Sequence, residues 1–260
     1  PTFSLVLPTR KRYILVLDVS KGTNDVNGFD RRWEKTRNAL FRFIKHIKEG
    51  DEVGIISFGS KARRNIKPTV VTTSNRAGLF GRVPFKLQPD TEVCMTCVLQ
   101  LIEEMVSTRS SDGSASSPHV VIISSSSSNT EDANFKQSNE LKHFKDLVEL
   151  RMIPIYNIVF DQELGEELRE LSNYGQSHVV PRTKTESLLQ NLADIFISIL
   201  HASNGSGIRK SYERFFFWEA RQGETQISGN FVVEEDLRNN LWMILTTPFK
   251  EDVDYFEVTS

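Results

Sequence analysis

The sequence predicts an α/β unit, a doubly wound and mostly parallel sheet with one antiparallel edge strand, followed by part of an all-β module. Three observations predict it. Short apolar runs at residues 13–17 and 53–58 have the length and composition of strands buried on both faces, and 119–123 and 153–159 read as further strands. Stretches of helical period alternate with those runs, the pattern of right-handed crossovers between parallel strands. Beyond residue 207 the character changes to aromatic and β-rich runs at 215–218, 230–233 and 241–246, separated by turn residues.

The elements follow in order. The first run ends at Asp18, and a loop rich in Gly, Asn and Asp comes next. Trp33, Leu40, Phe43, Ile44 and Ile47 then recur at helical spacing, with Gly50 where a helix stop is expected. Residues 65–71 contain Pro68, which lacks a ladder donor and so places this strand at a sheet edge, in a hairpin with its neighbour. Residues 93–105 read as a helix behind a turn at 89–91, and the Ser/Gly-rich stretch 107–117 as a loop. The strand at 119–123 runs into five serines, 124–128, at its carboxyl end, the edge of an open α/β sheet where ligands sit. A helix at 141–150, a strand at 153–159, a helix at 164–171, a strand at 178–180 and a closing helix at 188–200 complete the unit. Small and polar residues at 203–207 make the linker, which gives domains 1–206 and 207–260. No internal repeat is evident.

Composition limits function. The chain has 260 residues, 38% apolar and 25% charged, with a formal net charge of -2 and a mean hydropathy of -0.33. Such a balance is that of a globular protein, and nothing in it draws the chain to nucleic acid or an anionic membrane. The cluster Lys61, Arg63 and Arg64 reads as a solvated edge. No run approaches the roughly 18 apolar residues of a membrane span, so no membrane insertion is expected of this segment. A start at Pro1 without a signal peptide, and an end within strand alternation, suggest an excised piece. Cys94 and Cys97 are too few for a disulfide framework, and a lone C-x-x-C lacks the other ligands of a zinc site. The ordinary readings are a buried free thiol or a partner cysteine elsewhere. Trp33 and Trp218 read as packing residues, and Asn204-Gly205-Ser206 as a glycosylation acceptor at Asn204.

No catalytic residues and no cofactor site are assignable. The chain lacks G-x-G-x-x-G after the first strand, G-x-x-x-x-G-K-[ST] and G-x-S-x-G. The serines at 124–128 could hide a nucleophile, making a hydrolase the enzymatic rival, but no base can be named for it. His119, His143 and His178 are scattered and do not form H-x-x-x-H.

The informative element is Asp18-Val19-Ser20-Lys21-Gly22. It resembles the D-x-S-x-S motif of the von Willebrand factor type A fold, a Rossmann-like sheet where an Asp and two hydroxyls help hold a divalent cation. Thr91 and the polar loop at 124–129 fall where that fold places its remaining ligands. The segments Pro1-Thr2-Phe3-Ser4-Leu5, 53–58, Thr91-Glu92-Val93-Cys94 and 122–130 together resemble the calcium-activated chloride channel regulator family, over most of the chain. In that family the loop reads T-D-G-E-D-N-T, which aligns Ser125 with its Asp; Gly22 likewise replaces the second hydroxyl, and Lys21 stands at a Gly.

The resemblance therefore implies a metal set of Asp18, Ser20, Thr91 and Ser125 with one formal negative charge where the family has two. Mg2+ and Ca2+ need several oxygens, preferably with carboxylate charge, so a degenerate metal-ion-dependent adhesion site is expected. Alternatives stay open: an intact cation-dependent site, Lys21 supplying charge in place of metal, or Asp18 simply accepting backbone hydrogen bonds in its loop. By resemblance the parent protein is extracellular, secreted or surface-anchored. It would bind a protein partner, a chloride channel or another extracellular protein, and influence chloride conductance without forming a pore. The family's metalloprotease module would need an H-x-x-x-H helix, which this chain lacks.

Overall fold

The computed structural model describes residues 10–20, 32–88, 93–110, 116–125, 138–160, 171–172, 175–180 and 185–202. Six strands form one sheet: β1 (Arg10–Asp18), β2 (Glu52–Phe58), β3 (Ala62–Val70), β4 (Ser116–Ser125), β5 (Ile155–Phe160) and β6 (Ser177–Val180). Their order is β3-β2-β1-β4-β5-β6. All neighbours are parallel except β2 and β3, whose ladder is antiparallel. The predicted α/β class, a mostly parallel sheet with one antiparallel edge strand, is the one observed.

Alternate residues along each central strand face opposite layers, as a period of two requires. Tyr13, Leu15, Leu17, Val53, Ile55, Val121, Ile123 and Ile158 share one buried cluster with Leu40 and Phe43 of α1 (Arg32–His46) and Phe196 of α5 (Thr185–Ala202). Ile14, Val16, Ile56, Phe58, Val120, Ile122 and Val159 share the other with α3 (Met95–Ser107) and α4 (Asn139–Arg151). Trp33 is in the core, as its spacing predicts.

Local chemistry sets the ends. Helix α1 carries Glu34 in its first turn and Lys45 and His46 in its last, complementing its dipole. Gly50 follows at φ +91°, a conformation that a side chain disfavours. The Ser138 hydroxyl caps α4 by accepting from the Leu141 N–H at 3.1 Å. Pro68 lies in edge strand β3, where the register with β2 is irregular. A short helix, α2 (Arg76–Phe80), was not expected. The strand begun at His119 in the sequence reading starts at Ser116, so the predicted loop loses residues 116 and 117.

Cys94 and Cys97 are bonded to each other, S–S 1.98 Å, which corrects the expectation of a free thiol or an outside partner. Cys94 is the N-cap of α3. Turning into the helix there brings the two Cα atoms to 5.4 Å, within disulfide range. The chain divides into two units, Pro1–Gly205 and Ser206–Ser260. The second unit, with Trp218 and the expected β runs, lies outside the described residues, as do the expected helix at 164–170 and Asn204. Among the described residues no helix is long and apolar enough to cross a membrane.

At the amino end of the central strand Arg12, 1% exposed, is held on all sides. Its Nε donates to Glu52 Oε2 at 2.6 Å, Nη1 to the carbonyls of Met105 and Thr108, and Nη2 to Ser110 Oγ at 3.1 Å. Removing one partner of a buried pair leaves an uncompensated charge. Arg12→Met should therefore cost about 3–5 kcal/mol in urea denaturation, and Arg12→Met with Glu52→Leu should recover much of that.

On the neighbouring strand His119 is buried with its ring 5.6 Å from Tyr13 and stacked on Tyr156 at 6.3 Å. Burial, with Lys11 as a smaller contributor, lowers its pKa from 6.5 to about 4. A depressed histidine leaves stability complete above pH 6.5 and lost as pH falls toward 4, since the unfolded chain takes the proton first. The loss amounts to about 3 kcal/mol for a shift of this size. His119→Phe should flatten the stability profile between pH 6.5 and 4, measured by denaturation across that range.

Candidate functional site

Parallel strands bring their carboxyl ends to one edge of the sheet. Strand order reverses at β1, since β2 and β3 lie to one side and β4, β5 and β6 to the other. The crevice outside the ends of β1 and β4 is where such sheets bind ligands. Asp18 ends β1, and Ser125 ends β4.

Asp18 and Ser20 are each 1% exposed. The Ser20 N–H donates to Asp18 Oδ1 at 2.9 Å, the local turn that an Asp side chain favours. Asp18 thus does accept a backbone hydrogen bond within its loop, one of the open sequence readings. The Ser20 hydroxyl oxygen is buried and has no hydrogen-bond partner. Ser125 is placed in β4 by its backbone, paired with Phe160 of β5. Thr91, Lys21, Gly22 and residues 126–128 lie outside the described residues. The structure therefore brings Asp18 and Ser20 together, and it neither assembles nor disperses the rest of the expected set. Among the described residues no three His, Cys, Asp or Glu side chains converge as a metal group would.

Main-chain bonds tie the loop to its surroundings. The Val19 N–H donates to the Phe58 carbonyl at 2.8 Å, and the Gln88 N–H donates to the Val19 carbonyl at 2.6 Å. The Cys94 N–H donates to the Gly59 carbonyl at 2.8 Å. Gly59 packs so closely that a Cβ on it would lie 3.7 Å from Ser20 Cα and 2.5 Å from Gln88 Oε1. The loop after β1, the turn after β2 and the start of α3 thus form one hydrogen-bonded rim.

One residue of this edge was missed by the sequence reading. Arg32, at the start of α1, is 6% exposed, and its guanidinium lies 5.2 Å from the Phe160 ring centroid. Phe160 ends β5, so a buried cation sits beside the carboxyl end of that strand. The only sequence signal was position, immediately before Trp33, and a charged residue there reads as solvated.

With this geometry in view, comparison with known proteins is informative. The family model of the von Willebrand factor type A domain matches residues 13–129. Among solved structures, a von Willebrand factor type A protein from Catenulispora acidiphila matches with TM-score 0.56 and 11% identity, over 74% of this chain and 43% of that one. Proximal thread matrix protein 1 from the mussel byssus, in a form with a zinc-occupied MIDAS motif, matches with TM-score 0.53 and 11% identity, over 74% and 46%. The human COPII-coat protein Sec24c matches with TM-score 0.51 and 14% identity, over 74% and 32%. This chain spans less than half the length of each of these structures. A search of curated proteins gives no match. Family model and fold together support a von Willebrand factor type A domain, commonly a protein-binding module with a metal-dependent adhesion site.

An unpartnered buried hydroxyl costs roughly 1–3 kcal/mol of desolvation. Ser20→Ala should accordingly leave the domain as stable or about 1 kcal/mol more stable when denaturation is followed in EDTA.

Proposed function

We propose that this domain is a non-catalytic protein-binding module of a calcium-activated chloride channel regulator-like protein, acting outside the cell, with a degenerate metal-ion-dependent adhesion site. The observation that carries the reading is the state of Asp18. It is the single carboxylate of the implied set, and one of its oxygens is already engaged by the Ser20 N–H. A divalent cation must be repaid for dehydration by several oxygens carrying negative charge. A lone carboxylate offers little of that. The residues do not fit a tightly held Mg2+ or Ca2+.

Without an ion whose open position takes a partner's carboxylate, recognition at this edge rests on shape and hydrogen bonds. The main-chain bonds at Val19, Gln88 and Cys94 support it, because they hold the rim without help from a cation. The partner is a protein, a chloride channel or another extracellular protein, as the resemblance implies. A glycan at Asn204 suits the same location.

A second reading, cation-dependent adhesion, is favoured by the Ser20 hydroxyl, which lacks a protein partner where a ligand oxygen would be useful. The zinc-occupied motif of the mussel protein shows that a domain of this fold can hold a metal. Calorimetric titration separates the two. No binding of Mg2+ or Mn2+ below millimolar concentration is expected, and a complex with a protein partner should survive EDTA. Submillimolar binding, or dissociation on chelation, would establish the second reading.

A further inference from the structure

We propose that the Cys94–Cys97 bridge is a thiol–disulfide exchange site, reversibly reduced and reoxidised in the folded protein by small thiols and disulfides of the glutathione class. The inference does not rest on the binding function above.

Three features of the bridge support it. It spans only three positions in sequence, so closing it removes little entropy from the unfolded chain compared with a bridge joining distant segments. A bridge so placed does little to hold the fold, and the fold does little to protect the bridge. Both cysteines are residues of intermediate exposure and neither lies in the buried core, so the bridge is near the surface, where a small thiol arrives. The position also prepares one sulfur for negative charge. Cys94 is the N-cap of a 13-residue helix with no acidic residue in its first turn, and its Sγ already accepts the Cys97 N–H at 3.4 Å. When the bridge opens, that N–H and the positive end of α3 favour the Cys94 thiolate, while the Thr96 hydroxyl lies 3.5 Å from the same sulfur.

The chemistry balances with a disulfide RSSR as oxidant. The Cys94 thiolate attacks one sulfur of RSSR, the R–S–S–R bond breaks, and one RS⁻ leaves, to be protonated by the proton Cys94 gave up. The Cys97 thiolate then attacks Cys94 Sγ, the mixed disulfide breaks, and the second RS⁻ leaves and takes the Cys97 proton. The protein dithiol is oxidised by two electrons and RSSR is reduced to two RSH. An excess of RSH drives the same steps backward.

The site also has a structural neighbour that matters. Cys94 donates its N–H to Gly59, and a Cβ on Gly59 would lie 3.7 Å from Ser20 Cα. The bridge thus adjoins the rim that carries Asp18.

The test uses the native chain without denaturant. Protein is equilibrated in glutathione buffers, quenched by alkylation, and mapped by mass spectrometry while circular dichroism monitors the fold. The bridge is expected to open fully and reversibly in millimolar reduced glutathione, with the fold retained. In the reduced wild-type protein at pH 7, iodoacetamide should label Cys94 at least ten-fold faster than Cys97. Cys97→Ser should accumulate a glutathione adduct on Cys94; the wild-type peptide map stands in if that variant fails to fold. A bridge that opens only in chaotrope, or loss of the fold on reduction, marks a structural disulfide and overturns the proposal. Equal or faster labelling of Cys97 overturns it as well.

Discussion

A strand covered on both faces can carry charge only at its ends, and the charge it carries there must be answered from within the protein. Strand β1 is that strand. Its residues from Tyr13 to Leu17 are at most 2% exposed, with Arg12 before them and Asp18 after them, each 1% exposed. At the amino end the answer is complete. Glu52 supplies the countercharge from β2, and the carbonyls of Met105 and Thr108 use the guanidinium to satisfy the end of α3, where helix carbonyls lack partners of their own. One buried cation thereby joins two strands and a helix. At the carboxyl end a backbone N–H, that of Ser20, reaches Asp18 Oδ1, and the Ser20 hydroxyl beside it is buried without a hydrogen bond.

Much of the fold was legible because parallel strands leave a plain trace. The cores of β1 and β4 are continuous apolar runs, β2 and β5 are mostly apolar, and Pro68 alone identified β3 as an edge. The ends were less legible. Arg10, Lys11 and Arg12 pair with Ser116, Ser117 and Pro118 through the backbone, so polar side chains hide the true start of both strands. Helix α2 has five residues, too few for a periodic pattern. The bridge was not legible because it depends on the helix beginning between Cys94 and Cys97, which their spacing alone does not show.

The site was legible where it is local. Asp18 and Ser20 are two residues apart, and their mutual hydrogen bond is a short-range consequence of that spacing. Arg32 was not legible, since its burial depends on Phe160, over a hundred positions away, arriving at the same edge through the sheet. Charged side chains are the hardest to place from sequence, because their default is water and only tertiary contacts show otherwise.

Shape at this edge does not wait for an ion. Gly59 is the common point: its carbonyl takes the Cys94 N–H, its Cα face admits Ser20, and its lack of a side chain leaves room for Gln88. Gln88 in turn bonds to Val19, which itself bonds to the end of β2 at Phe58. Each bond uses backbone atoms, so the rim does not depend on the side chains that would hold a cation. A fold of this kind can therefore lose ligands without losing the surface that presented them, and metal-free recognition then needs only that the surface be complementary to a partner.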